Sequence, residues 1–220
     1  GIRLVSKAIS ENKIRPVIGG VYLEAKNDLI ILKGTDMDLT ISNFMFGIID
    51  SPGEIVFSPQ LVDEYLREIN DEEIQIVELD GSLLIETEGS TSEFSLYDAS
   101  EYPMIDTKIE GKTYEISREF LLESLEKVKF AASISTDNVA TNSVRLELSN
   151  GKIQLVATDS FRLVYLEENL EDAFNGETKV SIKKNNVEVI INILKSVGDE
   201  FLKLNYFGNQ ISKKKKKINL

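Results

Sequence analysis

Residues 144–163 read VRLELSNGKIQLVATDSFRL, and residues 21–40 read VYLEAKNDLIILKGTDMDLT. Laid over each other without a gap, they agree at Val21 and Val144, Leu23 and Leu146, Glu24 and Glu147, Asn27 and Asn150, Leu32 and Leu155, Thr35 and Thr158, and Asp36 and Asp159. Each copy reads as a hairpin. Val21, Leu23 and Ala25 alternate with Tyr22, Glu24 and Lys26, Asn27-Asp28 turns the chain, and Leu29 to Lys33 runs back. In the second copy Asn150-Gly151 is the stronger turn signal. A two-stranded unit ending in Thr-Asp therefore occurs twice in one chain.

The repetition extends outward from the hairpins. Upstream of each lies an amphipathic helical stretch, with Leu4, Val5, Ala8 and Ile9 in the first copy and Phe120, Leu121, Leu125 and Val128 in the second. Downstream, Pro52-Gly53 and Asn175-Gly176 each open a short strand, Glu54 to Phe57 and Thr178 to Ile182. Those strands lead into helices with apolar stripes at Leu61, Tyr65, Leu66 and Ile69, and at Val187, Ile190, Ile191, Leu194 and Val197. Ser58-Pro59 marks a helix start, Ser117 caps the first helix of the second copy, and Pro16 opens the strand entering Gly19-Gly20. Strands at Ile74 to Leu79, Leu83 to Thr87 and Thr91 to Leu96 close the first copy as a meander. The boundary composition lies between Tyr97 and Lys112, which gives two domains, 1–108 and 109–220, of one α+β topology.

Five segments in order, SPQLVDEYLREIND (58–71), FSLYDASEYPMI (94–105), ISREFLLESLEKVKFAAS (116–133), NSVRLEL (142–148) and VATDSFRL (156–163), resemble the bacterial DNA polymerase III beta subunit, the sliding clamp. The resemblance covers nearly the whole chain up to about Gln210. It implies a DNA-clamp fold of duplicated modules, each with two helices packed on antiparallel sheets. The family has a short strand before its first helix and three modules per subunit. This chain starts at Gly1-Ile2 inside that helix and passes from Ile211 into Ser212 and five lysines, so it resembles the first two modules, truncated at both ends.

The function implied is that of a processivity factor: a non-catalytic subunit of a DNA-directed DNA polymerase holoenzyme that encircles duplex DNA and tethers the replicative polymerase. The other implied partners are the clamp loader, repair polymerases and other clamp-motif proteins. When full length, the subunit is a ring-shaped homodimer, cytoplasmic and nucleoid-associated, with no cofactor, metal or membrane. The two ends predict that this chain alone does not close a ring, because the lysine run from Lys213 to Lys217 disfavours strand pairing at the C-terminal edge. Composition agrees with the rest. The chain has no cysteine and no histidine, which removes thiol chemistry and the commonest metal ligand and general base. No apolar run approaches the roughly 18 residues of a membrane span.

A net charge of -12 runs against nucleic acid binding, but it is unevenly distributed. Four helical windows, 2–15, 58–69, 117–130 and 183–196, hold 11 basic and 8 acidic residues, and the remainder holds 14 basic and 29 acidic. In a clamp, where helices line the hole, that split keeps duplex DNA off the acidic outside. The residues placed toward DNA are Lys7, Lys13, Arg15, Arg67, Lys127, Lys129, Lys183, Lys184 and Lys195, which reach phosphates without reading bases. The polar loop Ser133 to Asn142 reads as mobile; by the resemblance a loop at this position can approach DNA, and Asn142 matches an asparagine often found there, but the loop holds no Lys or Arg.

By the same resemblance, Thr158, Ser160, Phe161, Arg162 and Leu163 form one wall of the pocket for partner peptides, with Phe161 and Leu163 offering apolar surface and Arg162 a rim charge. The competing reading puts Leu163 in the core and pairs Arg162 with an acid. Two alternatives to the clamp function are a metal-dependent phosphoesterase using Asp36, Asp38 and Asp159, and a short clamp relative that only sequesters partner peptides. Against the first, Thr-Asp at equivalent places in both copies reads as a turn held by side-chain to backbone hydrogen bonds.

Overall fold

A computed structural model describes residues 1–10, 14–71, 73–103, 112–149, 151–170, 177–207 and 210–214. The chain divides into two compact units, Gly1–Ile105 and Asp106–Leu220. The boundary expected at residue 108 falls in a stretch outside the described residues, as do Lys13, Asn150 and the Asn175-Gly176 pair.

In the first unit, β1 (Val21–Lys26) and β2 (Leu29–Thr35) form a tight hairpin. Asn27 and Asp28 turn it with φ of 51° and 60°, the left-handed pair that a two-residue turn needs to match strand twist. The unit continues through β3 (Thr40–Phe46), β4 (Gly53–Phe57), α2 (Pro59–Glu68), β5 (Gln75–Leu79), β6 (Ser82–Glu86) and β7 (Thr91–Tyr97), after an opening α1 (Ile2–Ser6). The strands make one antiparallel sheet in the order β3-β2-β1-β4-β7-β6-β5. The link across its middle is short, with only Val56 and Phe57 of β4 facing Tyr97 and Leu96 of β7. Val5, Val21, Leu23, Leu32, Phe57, Val62, Leu83 and Ile85 pack between the helices and one face of the sheet. On the other face Val17, Ile18, Tyr22, Val56 and Tyr102 form a smaller cluster.

Two local expectations are corrected. The first helix is one short α turn ending at Ser6, shorter than the apolar stripe through Ala8 and Ile9 predicts, and is followed by tighter bonds from Lys7, Ala8 and Ile9 back three residues. Pro16 begins a 3₁₀ turn over Pro16–Gly19 in place of a strand, because burial of Val17 and Ile18 folds that segment onto the sheet. Ser58 has the extended backbone of an N-cap with Pro59 behind it, but makes no side-chain cap bond.

The second unit contains β8 (Lys112–Ser117), α3 (Arg118–Lys129), β9 (Ser143–Ser149), β10 (Lys152–Thr158), β11 (Leu163–Asn169), β12 (Glu177–Lys183), α4 (Lys184–Ser196), β13 (Phe201–Phe207) and β14 (Gln210–Lys214). Two antiparallel sheets result, β11-β10-β9-β12 and β14-β13-β8. Ser117 caps α3 by accepting the Phe120 amide at 3.3 Å. Leu121, Leu125 and Val128 of α3 join Val187, Ile191 and Leu194 of α4 over Leu146, Leu148, Ile153 and Leu155. The chain does not leave the sheet at Ile211: β14 runs to Lys214, opposite Lys203 of β13. A strand ladder is made of backbone groups, and lysines on an edge strand are compatible with it.

The duplication holds at the level of register. Leu23 faces Leu32 as Leu146 faces Leu155, and Thr35 faces Thr40 as Thr158 faces Leu163. The order β3-β2-β1-β4 is reproduced as β11-β10-β9-β12, which is the α+β clamp-like arrangement expected, with two α-helices to a unit among the described residues.

Candidate functional site

The Thr-Asp turns share the same four side-chain bonds to the backbone, and Thr35 adds one with the Thr40 hydroxyl at 2.9 Å. The Thr158 hydroxyl donates to the Arg162 carbonyl at 2.7 Å and accepts from the Ser160 amide at 3.1 Å, while Asp159 accepts the Phe161 and Arg162 amides at 3.1 and 3.0 Å. In the first unit the Thr35 hydroxyl donates to the Leu39 carbonyl at 3.0 Å and accepts the Met37 amide at 3.0 Å; Asp36 accepts the Asp38 and Leu39 amides at 2.9 and 2.6 Å. Met37 and Ser160 both sit at φ 77°, a conformation disfavoured for residues with side chains, and these bonds hold them there. Partial burial alone would raise the Asp159 pKa, but the Arg162 and Phe161 amides and the Arg162 guanidinium outweigh it and hold the carboxyl below its usual range. Asp36 and Asp159 thus act as turn caps, and among the described residues no group of three acids is placed to hold a metal ion.

The turn of the second unit presents apolar surface. Phe161 is 98% exposed and Leu163 65% exposed, so Leu163 does not belong to the core. Along β11 the outward positions are Leu163 and Tyr165, while Val164 and Leu166 pack inward. Arg162 does pair with an acid: its Nε lies 2.9 Å from Asp159 Oδ2, and its Nη2 donates to the Phe130 carbonyl at 3.0 Å. The guanidinium also lies 5.2 Å from the centre of the Phe130 ring. Phe130 and Tyr165, both about half exposed, therefore lie beside the residues expected to form a wall, Thr158, Ser160, Phe161, Arg162 and Leu163. Sequence reasoning missed these two. The strict alternation of β11 points to Tyr165, but nothing local points to Phe130, which arrives from the end of α3.

The expected DNA-facing residues sit in two groups. In the first unit Lys7 is exposed, Arg15 donates to the Glu101 carbonyl at 3.1 Å, and Arg67 shares Asp63 with Arg3. In the second unit Lys127 pairs with Glu123 at 2.9 Å, and Lys195 reaches from α4 to Glu126 of α3 at 2.7 Å. Lys195 and Lys129 both act on Glu126, whose pKa is lowered first by the Lys195 hydrogen bond. Exposed pairs of this kind contribute little to stability, so a phosphate can replace the carboxylate at small cost. Lys183 is exposed, whereas Lys184 is half-buried and donates its Nζ to the Ala132 carbonyl at 2.6 Å. Asn142 is buried rather than presented on a loose loop. Its amide side chain donates to the Ser133 carbonyl at 2.8 Å, and its carbonyl accepts the Lys184 amide at 2.9 Å. These bonds close the 133–142 loop on itself and seat it against the start of α4.

Residues 1–106 match the family model described as DNA polymerase III beta subunit, N-terminal domain. The chain is 24% identical over 194 residues to the beta sliding clamp of Chlamydia muridarum, covering 86% of this chain and 52% of that one. It is 25% identical over 177 residues to the beta sliding clamp of Bacillus subtilis, covering 76% and 47%. The crystal structure of the DNA polymerase sliding clamp from Bacillus subtilis superposes with a TM-score of 0.87 at 21% identity, over 97% of this chain and 58% of that one. The chain thus spans about half the length of the relatives it matches. Among the described residues, no helix is long and apolar enough to cross a membrane.

Proposed function

We propose, from its similarity to bacterial DNA polymerase III beta subunits, that this chain serves as part of a DNA polymerase processivity clamp: a non-catalytic tether that surrounds duplex DNA and docks replication proteins. In this reading the two compact units are the first and second clamp modules. The partners are the replicative polymerase, the clamp loader, repair polymerases and other clamp-motif proteins, and the whole protein acts as a ring-shaped homodimer at the nucleoid. Lys7, Lys13, Arg15, Arg67, Lys127, Lys129, Lys183 and Lys195 supply non-specific phosphate contacts, with Lys184 supporting the loop beside them.

The observation that carries the reading is the repeated hairpin and turn, matched in register and in the side-chain bonds that close the turn, of which the second copy leaves Phe161 and Leu163 exposed beside Phe130 and Tyr165. Repetition of one module is what a protein closing around an object with helical symmetry needs, since each module can offer the same kind of face to the backbone. Exposed apolar anchors next to a rigid turn are what a peptide-docking surface needs, because a few buried contacts carry most of such binding. The test is fluorescence anisotropy with a labelled peptide bearing a Leu-Phe pair. Binding that Leu163→Ala abolishes supports the docking role, and binding indifferent to Leu163 and Phe161 removes it.

A further inference from the structure

The Thr-Asp turn occurs twice, and in the second unit it is tied to the end of a helix. In the second unit the Arg162 side chain meets three groups at once: Nε to Asp159 Oδ2 at 2.9 Å, Nη2 to the Phe130 carbonyl at 3.0 Å, and its face toward the Phe130 ring at 5.2 Å. Phe130 is the C-cap of α3, where helix carbonyls lack intrahelical donors and carry the negative end of the dipole. A planar guanidinium satisfies carboxylate, carbonyl and ring together, which an ammonium does not. The matching position in the first unit is Leu39, whose side chain has no donor.

The geometry points to Arg162 as a positioning residue of the docking surface: a brace that fixes the Thr158 to Leu163 turn on the end of α3, and not a charge that meets an acid of the incoming peptide. This rests on the docking role proposed above. Its Nε and one Nη2 hydrogen already meet a carboxylate and a carbonyl and its face a ring, while its remaining N–H groups, on a side chain 55% exposed, are what the aspartate peptide below probes. What it supplies is order. Phe161 and Leu163 flank it in the chain, both exposed, and a turn free to move would lose that freedom on binding, at a cost to affinity.

Two variants and two peptides separate the possibilities. Arg162→Gln removes the charge, and Arg162→Lys keeps it but loses the fork. The probes are labelled peptides with a Leu-Phe pair, one with aspartate beside the pair and one with asparagine. A brace predicts that both variants weaken binding by about tenfold, by the same factor for both peptides, since the loss is one of preorganisation. Rescue by Arg162→Lys, or an effect confined to the aspartate peptide, would overturn it in favour of direct contact. Amide hydrogen exchange on the same 220-residue chain gives an answer that needs no peptide. The Phe161 and Arg162 amides should exchange about tenfold faster in Arg162→Gln while β9 and β10 are unchanged, as local opening requires. Unchanged exchange at Phe161 and Arg162 sinks the brace. If the unmodified chain binds neither peptide, the docking role fails, and exchange still decides whether Arg162 braces the turn.

Discussion

Thr158 and Leu163 stand opposite each other as the last pair of the β10–β11 ladder, the threonine hydroxyl closing the turn between them and the leucine side chain left 65% exposed. A large apolar residue in that place adds little to the fold. Leu163→Ala should change stability by no more than about 0.5 kcal/mol, as is usual for surface sites. It should nevertheless abolish binding of a Leu-Phe peptide. Thermal unfolding and anisotropy on the same sample check both halves.

The carboxyl of Asp159 is held below its ordinary value, with desolvation opposing the shift and the Arg162 and Phe161 amides and the Arg162 guanidinium producing it. A depressed folded-state pKa means that the contribution is present above the unfolded value and is lost as pH falls through the folded one. The turn should stay formed through the normal carboxylate range and loosen only in stronger acid. Following the Phe161 and Arg162 amide resonances in an acid titration tests this, and Asp159→Asn should remove the transition.

The Tyr22 and Tyr102 rings stack with centroids 5.1 Å apart in the smaller cluster of the first unit, and Tyr22 donates to Glu54 at 2.6 Å. Burial pushes the Tyr102 phenol from 10.0 up to about 12; burial, and then the Glu54 hydrogen bond, push Tyr22 higher still. Raised folded-state values stabilise below the unfolded pKa and cease to as pH climbs through the folded one. The first unit should therefore lose stability above about pH 10. Tyrosinate absorbance for these two residues should appear together with loss of structure. Tyr102→Ala should cost about 3 kcal/mol, as removal of a buried aromatic does.

Gly34 lies where α1 presses on β2: a Cβ there would run into the Val5 carbonyl oxygen, a backbone atom that moves only with the helix. Gly34→Ala should cost about 1 to 3 kcal/mol through overpacking and lower the melting temperature. The equivalent residue of the second unit, Ala157, is buried and accommodated, so Ala157→Gly should be much milder.

Lys127 and Lys195 are held by Glu123 and Glu126 in exposed pairs that a phosphate can displace. Charge reversal of both should weaken binding to any duplex sequence and lower the magnitude of the salt slope by about one for each phosphate no longer neutralised. Glu126→Gln, which releases Lys195, should strengthen binding. Titrations at several salt concentrations read all three.

The Thr-Asp turns were fully legible in the sequence, because everything that shapes them is close by in the chain. A threonine hydroxyl and an aspartate carboxylate cap amides two and three positions on, wherever the turn is placed. The hairpin registers were equally local, set by period-two alternation and by Asn27-Asp28. What surrounds the turns was not. The partner of Arg162 is 32 residues away, at the end of a helix whose exit point depends on how Leu121, Leu125 and Val128 seat on the sheet. Lys184 turned inward to a carbonyl 52 residues away, while its neighbour Lys183 stayed exposed, a difference that two adjacent lysines in a sequence do not announce. Asn142 became a buried clasp and Pro16 part of a 3₁₀ turn for the same reason. Composition and spacing determine local conformation through bonds made within a turn or a strand pair, and only the packing of α3, α4 and the sheets decides which distant polar group each long side chain meets.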